Sequence, residues 1–195
     1  MDKQIDARGW NCPKPVIETK KLLENIPEGN VTTIVDNEIA KENVTKLAKS
    51  MDYDVDVKEM GGDYYINIYS GEVSKEPLLK PKKLKEMTIL VGSDVMGAGA
   101  EELGKVLMKG FIYTLTEYTP YPKTILFINS GVRLTSEGSE VIDYLRQLES
   151  EGVEILSCGT CLDYYNLKNK LMVGGVTNMY TIVDKMNSAK NTIKL

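Results

Sequence analysis

The sequence predicts an α/β protein in two parts: a small two-layer α/β sandwich of order β-α-β-α-β-β, then a doubly wound, mainly parallel α/β domain. Three observations predict this class. Short β-branched runs alternate with segments in which apolar residues recur at helical spacing. A lysine- and proline-containing stretch interrupts the alternation at residues 72–86. The 195 residues are enough for two domains that each bury a core.

The first part follows the pattern strand, helix, strand, helix, strand, strand. A short extended run around Ile5 ends at Gly9, an apolar helical repeat begins at Val16, and a β-branched run occupies residues 31–35. The next helix has one apolar face, formed by Ala40, Val44, Leu47, Ala48 and Met51. The turn-forming run 61–63 then separates two strands, as in a β-hairpin. This order predicts a sheet covered by helices.

Residues 72–86 are predicted to link a first domain, residues 1–71, to a second domain, residues 87–195. The stretch contains five lysines and two prolines and shows little periodicity. We expect its lysines to be solvated and assign no chemistry to them.

The second part repeats the alternation of strand and helix. Strands are predicted at 87–91, 124–128 and 153–156. The helix after the first strand is predicted to pack on the sheet through one apolar face, formed by Leu103, Val106, Leu107, Gly110 and Phe111. Because parallel strands need crossover connections, this spacing predicts a parallel sheet covered on both faces. Ligands of such sheets bind beyond the carboxyl ends of the strands.

Composition narrows the classes of function. The formal net charge of −4 disfavours nucleic acid as a partner. Histidine is absent, which excludes Cys-His and Ser-His nucleophile pairs. Neither a signal peptide nor a membrane-length apolar run is evident, so we expect a cytoplasmic protein without a membrane partner. Three cysteines in that compartment indicate reactive or metal-binding groups more than a disulfide framework.

Cys12-Pro13-Lys14-Pro15 opens the first helical repeat. Pro13 suits the first helical position, since its missing N–H would be unpaired there. Unpaired amides and the positive end of the helix dipole favour a thiolate at Cys12, and Lys14 adds a nearby cation. The alternative is a buried, inert cysteine. We predict a reactive thiol.

Cys158-Gly159-Thr160-Cys161 follows the predicted strand 153–156, at the sheet edge where sites form. The spacing permits a dithiol redox pair, half of a zinc site, or a nucleophile with a resolving neighbour, and a purely structural pair stays open. A closed zinc site needs four ligands. The chain has three cysteines and no histidine, so only a site shared between subunits could complete the set. The glycines at 97–104 match neither a dinucleotide nor a phosphate-loop pattern. We therefore expect no metal and no cofactor.

The run at residues 6–16, which contains the whole Cys-Pro-x-Pro core, resembles the signature of the TusA/SirA family of small sulfur carriers. The resemblance covers about residues 3–70, and the β-α-β-α-β-β order of that family agrees with the pattern above. Residues 87–195 resemble a DsrE-type domain in their strand-helix order and in the cysteine after the third strand. The combination resembles the YedF proteins associated with selenium metabolism.

The resemblance implies a sulfurtransferase-like persulfide relay. Cys12 matches the carrier position, with Pro13, Lys14 and Pro15 in support, and Cys161 or Cys158 is the receiving thiol. The implied partners are a cysteine desulfurase or other sulfur or selenium donor and a downstream acceptor protein. DsrE-like domains also imply a homo-oligomer. Two alternatives stay open: a thiol-disulfide oxidoreductase that uses Cys158 and Cys161, and a non-catalytic regulatory or scaffold protein.

Overall fold

The computed structural model describes residues 2–26, 29–70 and 84–195. The chain divides into two compact units, residues 1–79 and 80–195. Most of the predicted linker, residues 72–83, lies outside the described residues. Its last two predicted residues belong to a strand of the second unit, which begins at Lys85 rather than at residue 87.

The first unit has the predicted order of strands and helices. Its elements are β1 (Lys3–Asp6), α1 (Lys14–Glu24), β2 (Gly29–Val35), α2 (Glu38–Ser50), β3 (Asp54–Met60) and β4 (Asp63–Ser70). The sheet order is β1-β2-β4-β3, in which β1 is parallel to β2 and the other two pairs are antiparallel. The β-α-β-α-β-β sandwich is therefore confirmed.

One face of this sheet carries the core of the first unit. In register, Val31 of β2 lies opposite Ile68 of β4, and both are fully buried under the helices. Val44 and Ala48, from the predicted apolar face of α2, are also fully buried. Gly61 and Gly62 form the hairpin turn at φ +65° and +88°, a backbone conformation that favours glycine.

The second unit is built on five parallel strands in the order β8-β7-β6-β5-β9. Its strands are β5 (Lys85–Val91), β6 (Pro122–Phe127), β7 (Glu154–Cys158), β8 (Gly175–Thr177) and β9 (Asn191–Lys194). Its helices are α3 (Glu101–Glu117), α4 (Ile142–Ser150), α5 (Gly159–Tyr164) and α6 (Met179–Ser188), with 3-10 helices at Asn129–Thr135 and Lys168–Lys170. The expected parallel sheet is confirmed.

Helices cover both faces of this sheet. Neighbouring residues of each strand point to opposite sides, so each strand contributes to a core on either face. On one side Ile89 and Ile125 pack with residues of α3 and α4 in the larger core. On the other side Leu90 and Leu126 pack with Ile182 of α6. The domain is thus doubly wound, as predicted.

The predicted packing face of α3 is wrong at Leu103, Val106 and Leu107, whereas Phe111 does pack against the core. Leu103, Val106 and Leu107 are 57%, 64% and 45% exposed. The buried face instead runs at four-residue intervals through Gly104, Met108, Ile112 and Thr116. The helix therefore carries two apolar stripes, and only one of them faces the sheet. A glycine suits the start of the buried stripe, where a Cβ on Gly104 would lie 2.9 Å from the Val95 Cβ.

Candidate functional site

Cys12 lies in the loop between β1 and α1 and is exposed. The helix begins one residue later than predicted. Pro13 is its N-cap, whose carbonyl accepts a hydrogen bond from the Ile17 amide at 3.1 Å, and Pro15 is the second helical residue. The Cys12–Pro13 peptide bond is cis. The thiol thus projects from the residue immediately before the N-cap.

Charged contacts hold the loop that presents Cys12. The Arg8 guanidinium contacts the Asp6 carboxylate at 2.5 Å and the Asp63 carboxylate, at the start of β4, at 3.0 Å. The Arg8 hydrogen bonds lower the pKa of Asp6 to about 2. The Gly9 amide, at φ +71°, donates to the Asp36 carboxylate at 2.6 Å, which lowers the pKa of that carboxyl. These contacts tie the loop to the carboxyl end of β2 and to β4.

A buried pair of hydroxyls fixes the helix that follows Cys12. Thr19 of α1 and Thr33 of β2 are fully buried, and their Oγ1 atoms are 2.9 Å apart. The Thr19 hydroxyl also hydrogen-bonds to the Pro15 carbonyl at 2.7 Å. The pair therefore anchors α1 on the sheet within two turns of the cysteine.

The N-terminus of α1 offers the Cys12 thiol fewer free amides than the sequence predicts. The Lys14 amide donates to the Asn11 carbonyl at 3.0 Å, and Pro15 has no N–H. The long contact to the sulfur comes from α2, where Asn43 Nδ2 lies 4.0 Å from Cys12 Sγ. Lys14 Nζ lies 4.4 Å from the centre of the Trp10 ring, so a cation is held beside the loop. Sequence reasoning missed Asn43, because no local pattern links it to Cys12.

The other two cysteines lie at the carboxyl end of the parallel sheet, as predicted. Cys158 ends β7, is 4% exposed and is the N-cap of α5. Cys161, at the third helical position, is half-buried and packs against the small core to which Cys158 belongs. Side chains at the N-cap and third positions of a helix face one another. The structure therefore brings these two free thiols together.

Cys161 receives a backbone hydrogen bond from the neighbouring strand connection. The amide of Asn129, directly after β6 and Ile128, donates to Cys161 Sγ at 3.1 Å. Asn129 has φ +50°, and its side-chain oxygen accepts a hydrogen bond from the Tyr165 hydroxyl at 2.8 Å. The Arg133 guanidinium lies 4.8 Å from the Tyr165 ring centre. Sequence reasoning missed this set of neighbours, which come from two connections of the sheet.

The pKa of the Cys161 thiol is raised above its usual range. Burial is the main cause, and the adjacent Cys158 thiol adds to it, whereas the Asn129 amide acts in the opposite direction. The amide is placed to stabilise negative charge on this sulfur once it forms.

A close backbone approach positions the Asn129 amide. The 3-10 helix that begins at Asn129 passes so near β5 that a Cβ on Gly131 would lie 2.4 Å from the Val91 carbonyl oxygen. Only glycine fits there without a backbone shift. The amide beside Cys161 is therefore fixed by the packing of the sheet connections.

Cys12 belongs to the first unit, and Cys158 and Cys161 belong to the second. Across residues 2–26, 29–70 and 84–195, no group of three or more Cys, Asp or Glu side chains is arranged to hold a metal ion. In the same part of the chain, every helix is too short or too polar to cross a membrane.

Two family models match the chain, one in each unit. Residues 3–69 match the model of sulfurtransferase TusA, and residues 111–195 match that of the DsrE/DsrF-like family. The TusA/SirA and DsrE resemblances are thereby confirmed.

Curated relatives agree with the first match. A "Putative sulfur carrier protein" of Thermotoga maritima is 33% identical over 63 residues, 31% of this chain and 80% of the relative. "Putative sulfur carrier protein MJ0990" of Methanocaldococcus jannaschii is 40% identical over 58 residues, 29% of this chain and 77% of the relative. "Uncharacterized protein MJ0760" of the same organism is 24% identical over 187 residues, 89% of this chain and 66% of the relative.

Through its first unit the chain belongs to the TusA sulfurtransferase family. Cys12 lies within the matched segment, and Cys158 and Cys161 lie within the segment that matches the DsrE/DsrF-like model.

Proposed function

We propose that this protein is a sulfur-relay protein that carries sulfur as a persulfide on Cys12 and passes it to Cys161. The observation that carries the proposal is the exposure of Cys12 at the start of α1, in the unit that belongs to the TusA family. Reactive thiols need access to a donor, and an exposed cysteine on an anchored loop provides it.

The loading step is a thiolate exchange that needs no histidine. The Cys12 thiolate attacks the terminal sulfur of a persulfide on a donor protein, such as a cysteine desulfurase. A new sulfur–sulfur bond forms on Cys12, the donor's sulfur–sulfur bond breaks, and the donor cysteine leaves as a thiolate. Oxidation states are unchanged, so the step needs no oxidant or reductant. The same exchange at Cys161 passes the sulfur on and returns Cys12 as a thiolate.

Pro13, Lys14 and Pro15 support Cys12 in this proposal. Pro13 and Pro15 restrict the backbone at the start of α1, so the Cys12 side chain is held in one direction. Lys14 keeps a positive charge near the loop, where it favours a perthiolate and an acidic partner surface.

Cys161 is proposed as the receiving thiol in preference to Cys158. Cys158 is 4% exposed, so a partner persulfide cannot reach it without rearrangement, whereas Cys161 is partly accessible. The Asn129 amide at 3.1 Å also offers Cys161 a donor for developing negative charge.

The second unit is proposed to assemble with further copies of itself. The exposed stripe Leu103, Val106 and Leu107 on α3 follows the i, i+3, i+4 spacing of a helix-packing face. Exposed apolar stripes of this kind indicate an interface. A homo-oligomer through α3 would bury all three side chains.

Two finer points belong to the same proposal. The relay is proposed to act in the cytoplasm, because persulfide exchange needs cysteines that are kept reduced. Selenium, the element associated with the YedF proteins, is a candidate cargo alongside sulfur, since a selenide acceptor also begins from a nucleophilic thiolate.

Mass spectrometry of the loaded protein tests the proposal. The full chain is incubated with a cysteine desulfurase and cysteine, alkylated, and digested, and persulfide is measured on each cysteine peptide. We expect one added sulfur on Cys12, which Cys12→Ser abolishes and which the matched control Cys158→Ser retains. A parallel reaction with a selenide donor gives the corresponding selenium adduct if that cargo is used. Absence of any Cys12 adduct with competent donors would contradict the proposal.

A further inference from the structure

We propose that Cys158 is a resolving thiol that releases sulfide from a persulfide on Cys161, leaving a Cys158–Cys161 disulfide. This inference rests on the proposed function for the arrival of sulfur at Cys161 in the cell. It goes beyond that function by giving the second unit a reductive release step and by assigning distinct tasks to its two cysteines.

Helix geometry places the two thiols for this reaction. Cys158 is the N-cap of α5, with extended backbone angles of φ −62° and ψ 118°, and Cys161 is three residues later in the first turn. In that arrangement the N-cap side chain turns back over the first turn and meets the side chain of the third helical residue. A disulfide requires Cβ atoms about 4 Å apart, which small side-chain rotations can reach from neighbouring positions.

Burial separates the roles of the two sulfurs. Cys158 is 4% exposed and packs with Leu90, Leu126 and Ile182 between the sheet and α6. Cys161 is half-buried and accepts the Asn129 amide. An incoming persulfide therefore meets Cys161 first, and Cys158 attacks from the protein side. Cys158 would fill the same space if its role were only structural. Packing alone, however, does not require that the residue next to Cys161 carry a thiol.

The step balances without an external oxidant. The Cys158 sulfur attacks the inner sulfur of the Cys161 persulfide, so a Cys158–Cys161 bond forms and the bond to the outer sulfur breaks. The outer sulfur leaves as hydrosulfide and takes the Cys158 proton. In this exchange the Cys158 sulfur is oxidised from the thiol to the disulfide level, the Cys161 sulfur keeps its oxidation state, and the outer sulfur is reduced to sulfide. A second turnover requires a dithiol reductant, which regenerates both thiols.

The neighbours of the pair fit this chemistry. The Asn129 amide donates to the Cys161 sulfur, the atom that Cys158 attacks, and holds it in place. Burial and the adjacent Cys158 raise the pKa of the Cys161 thiol, so this thiol is protonated near neutral pH before sulfur arrives. The charged groups around the site, Arg133 and Asp94, pair with each other at 3.4 Å.

A single-turnover experiment on the Cys12→Ser full chain tests the inference. The probe is glutathione persulfide, which loads Cys161 directly and so removes any dependence on Cys12. Sulfide is measured without added reductant, and the Cys158–Cys161 disulfide is measured by peptide mass spectrometry. We expect equal amounts of sulfide and disulfide. Sulfide release should fall to the level of a Cys161→Ala variant when Cys158→Ala or Cys158→Ser is introduced, and persulfide should then accumulate on Cys161.

Each other outcome overturns the inference. Sulfide release that is unchanged by Cys158→Ala, persulfide that stays on Cys161 in the presence of Cys158, or failure of Cys161 to load would each do so. The one-to-one ratio of sulfide to disulfide is measured in the chain that retains Cys158. A folding defect in a Cys158 variant therefore cannot hide this result. The Cys12 adduct formed with a desulfurase tests the proposed function separately.

Discussion

Replacement of Thr19 by valine should weaken the anchor that holds α1, and with it Cys12, on the sheet. The Thr19 hydroxyl is fully buried and makes two hydrogen bonds, to the Pro15 carbonyl and to the Thr33 hydroxyl. Valine keeps the shape but leaves the Thr33 hydroxyl buried without a partner. With a net value of about 1 kcal/mol for each bond, we expect Thr19→Val to lower the free energy of unfolding by about 2 kcal/mol.

The double substitution gives the sharper result. In Thr19→Val/Thr33→Val neither hydroxyl is left unpaired, so the double variant should be no less stable than Thr19→Val alone. The expected coupling energy between the two positions is about 1 kcal/mol. Urea unfolding followed by fluorescence reports the first unit, because the chain has one tryptophan, Trp10, in the Cys12 loop. Additive effects, or a double variant less stable than both single variants, would refute the reasoning.

Three further predictions concern the second unit. Replacement of Cys158 by alanine removes one cause of the raised Cys161 pKa, so the pH midpoint of Cys161 alkylation should fall. The midpoint should stay above that of an ordinary thiol, because burial still raises the pKa. An unchanged midpoint would contradict the contact between Cys158 and Cys161. Gly131→Ala should cost about 2 kcal/mol in urea unfolding, because its Cβ meets backbone, whereas Gly99→Ala, which has open space, should cost little. Val106→Glu should reduce the oligomer mass measured by light scattering, and an unchanged mass would exclude α3 from the interface.

Much of the fold was predictable because strong local periodicity decided it. The β-branched run at 31–35 and the apolar face through Val44 and Ala48 specify a strand and a helix before any packing is known. The last two strands of the second unit, β8 and β9, lack such a periodic pattern. β8 has three residues and β9 has four, so neither shows a resolvable alternation.

The face of α3 was mispredicted for a different reason. The helix has apolar residues on two stripes, and periodicity does not say which stripe faces the sheet. Close backbone packing favours one side: a Cβ on Gly104 would lie 2.9 Å from the Val95 Cβ, so a glycine suits the side that faces the sheet. That side also carries Met108 and Ile112 in the core, whereas Leu103, Val106 and Leu107 are left exposed.

The sequence located all three cysteines in the expected local settings but not their surroundings. Cys12 precedes a helix, and Cys158 and Cys161 follow a strand of the parallel sheet. Their hydrogen-bond partners, Asn43 and Asn129, are 31 and 32 residues away along the chain. Such contacts depend on tertiary packing, which no local pattern encodes.

A time course of persulfide on the Cys158→Ala full chain tests the relay most directly. Without the resolving thiol, sulfur that reaches Cys161 should remain there and be measurable on its peptide. After loading by a cysteine desulfurase and cysteine, we predict that persulfide appears first on Cys12 and then on Cys161. Introduction of Cys12→Ser should abolish both signals. Equal loading of Cys161 in the chain that lacks Cys12 would contradict the proposal that Cys12 carries the sulfur.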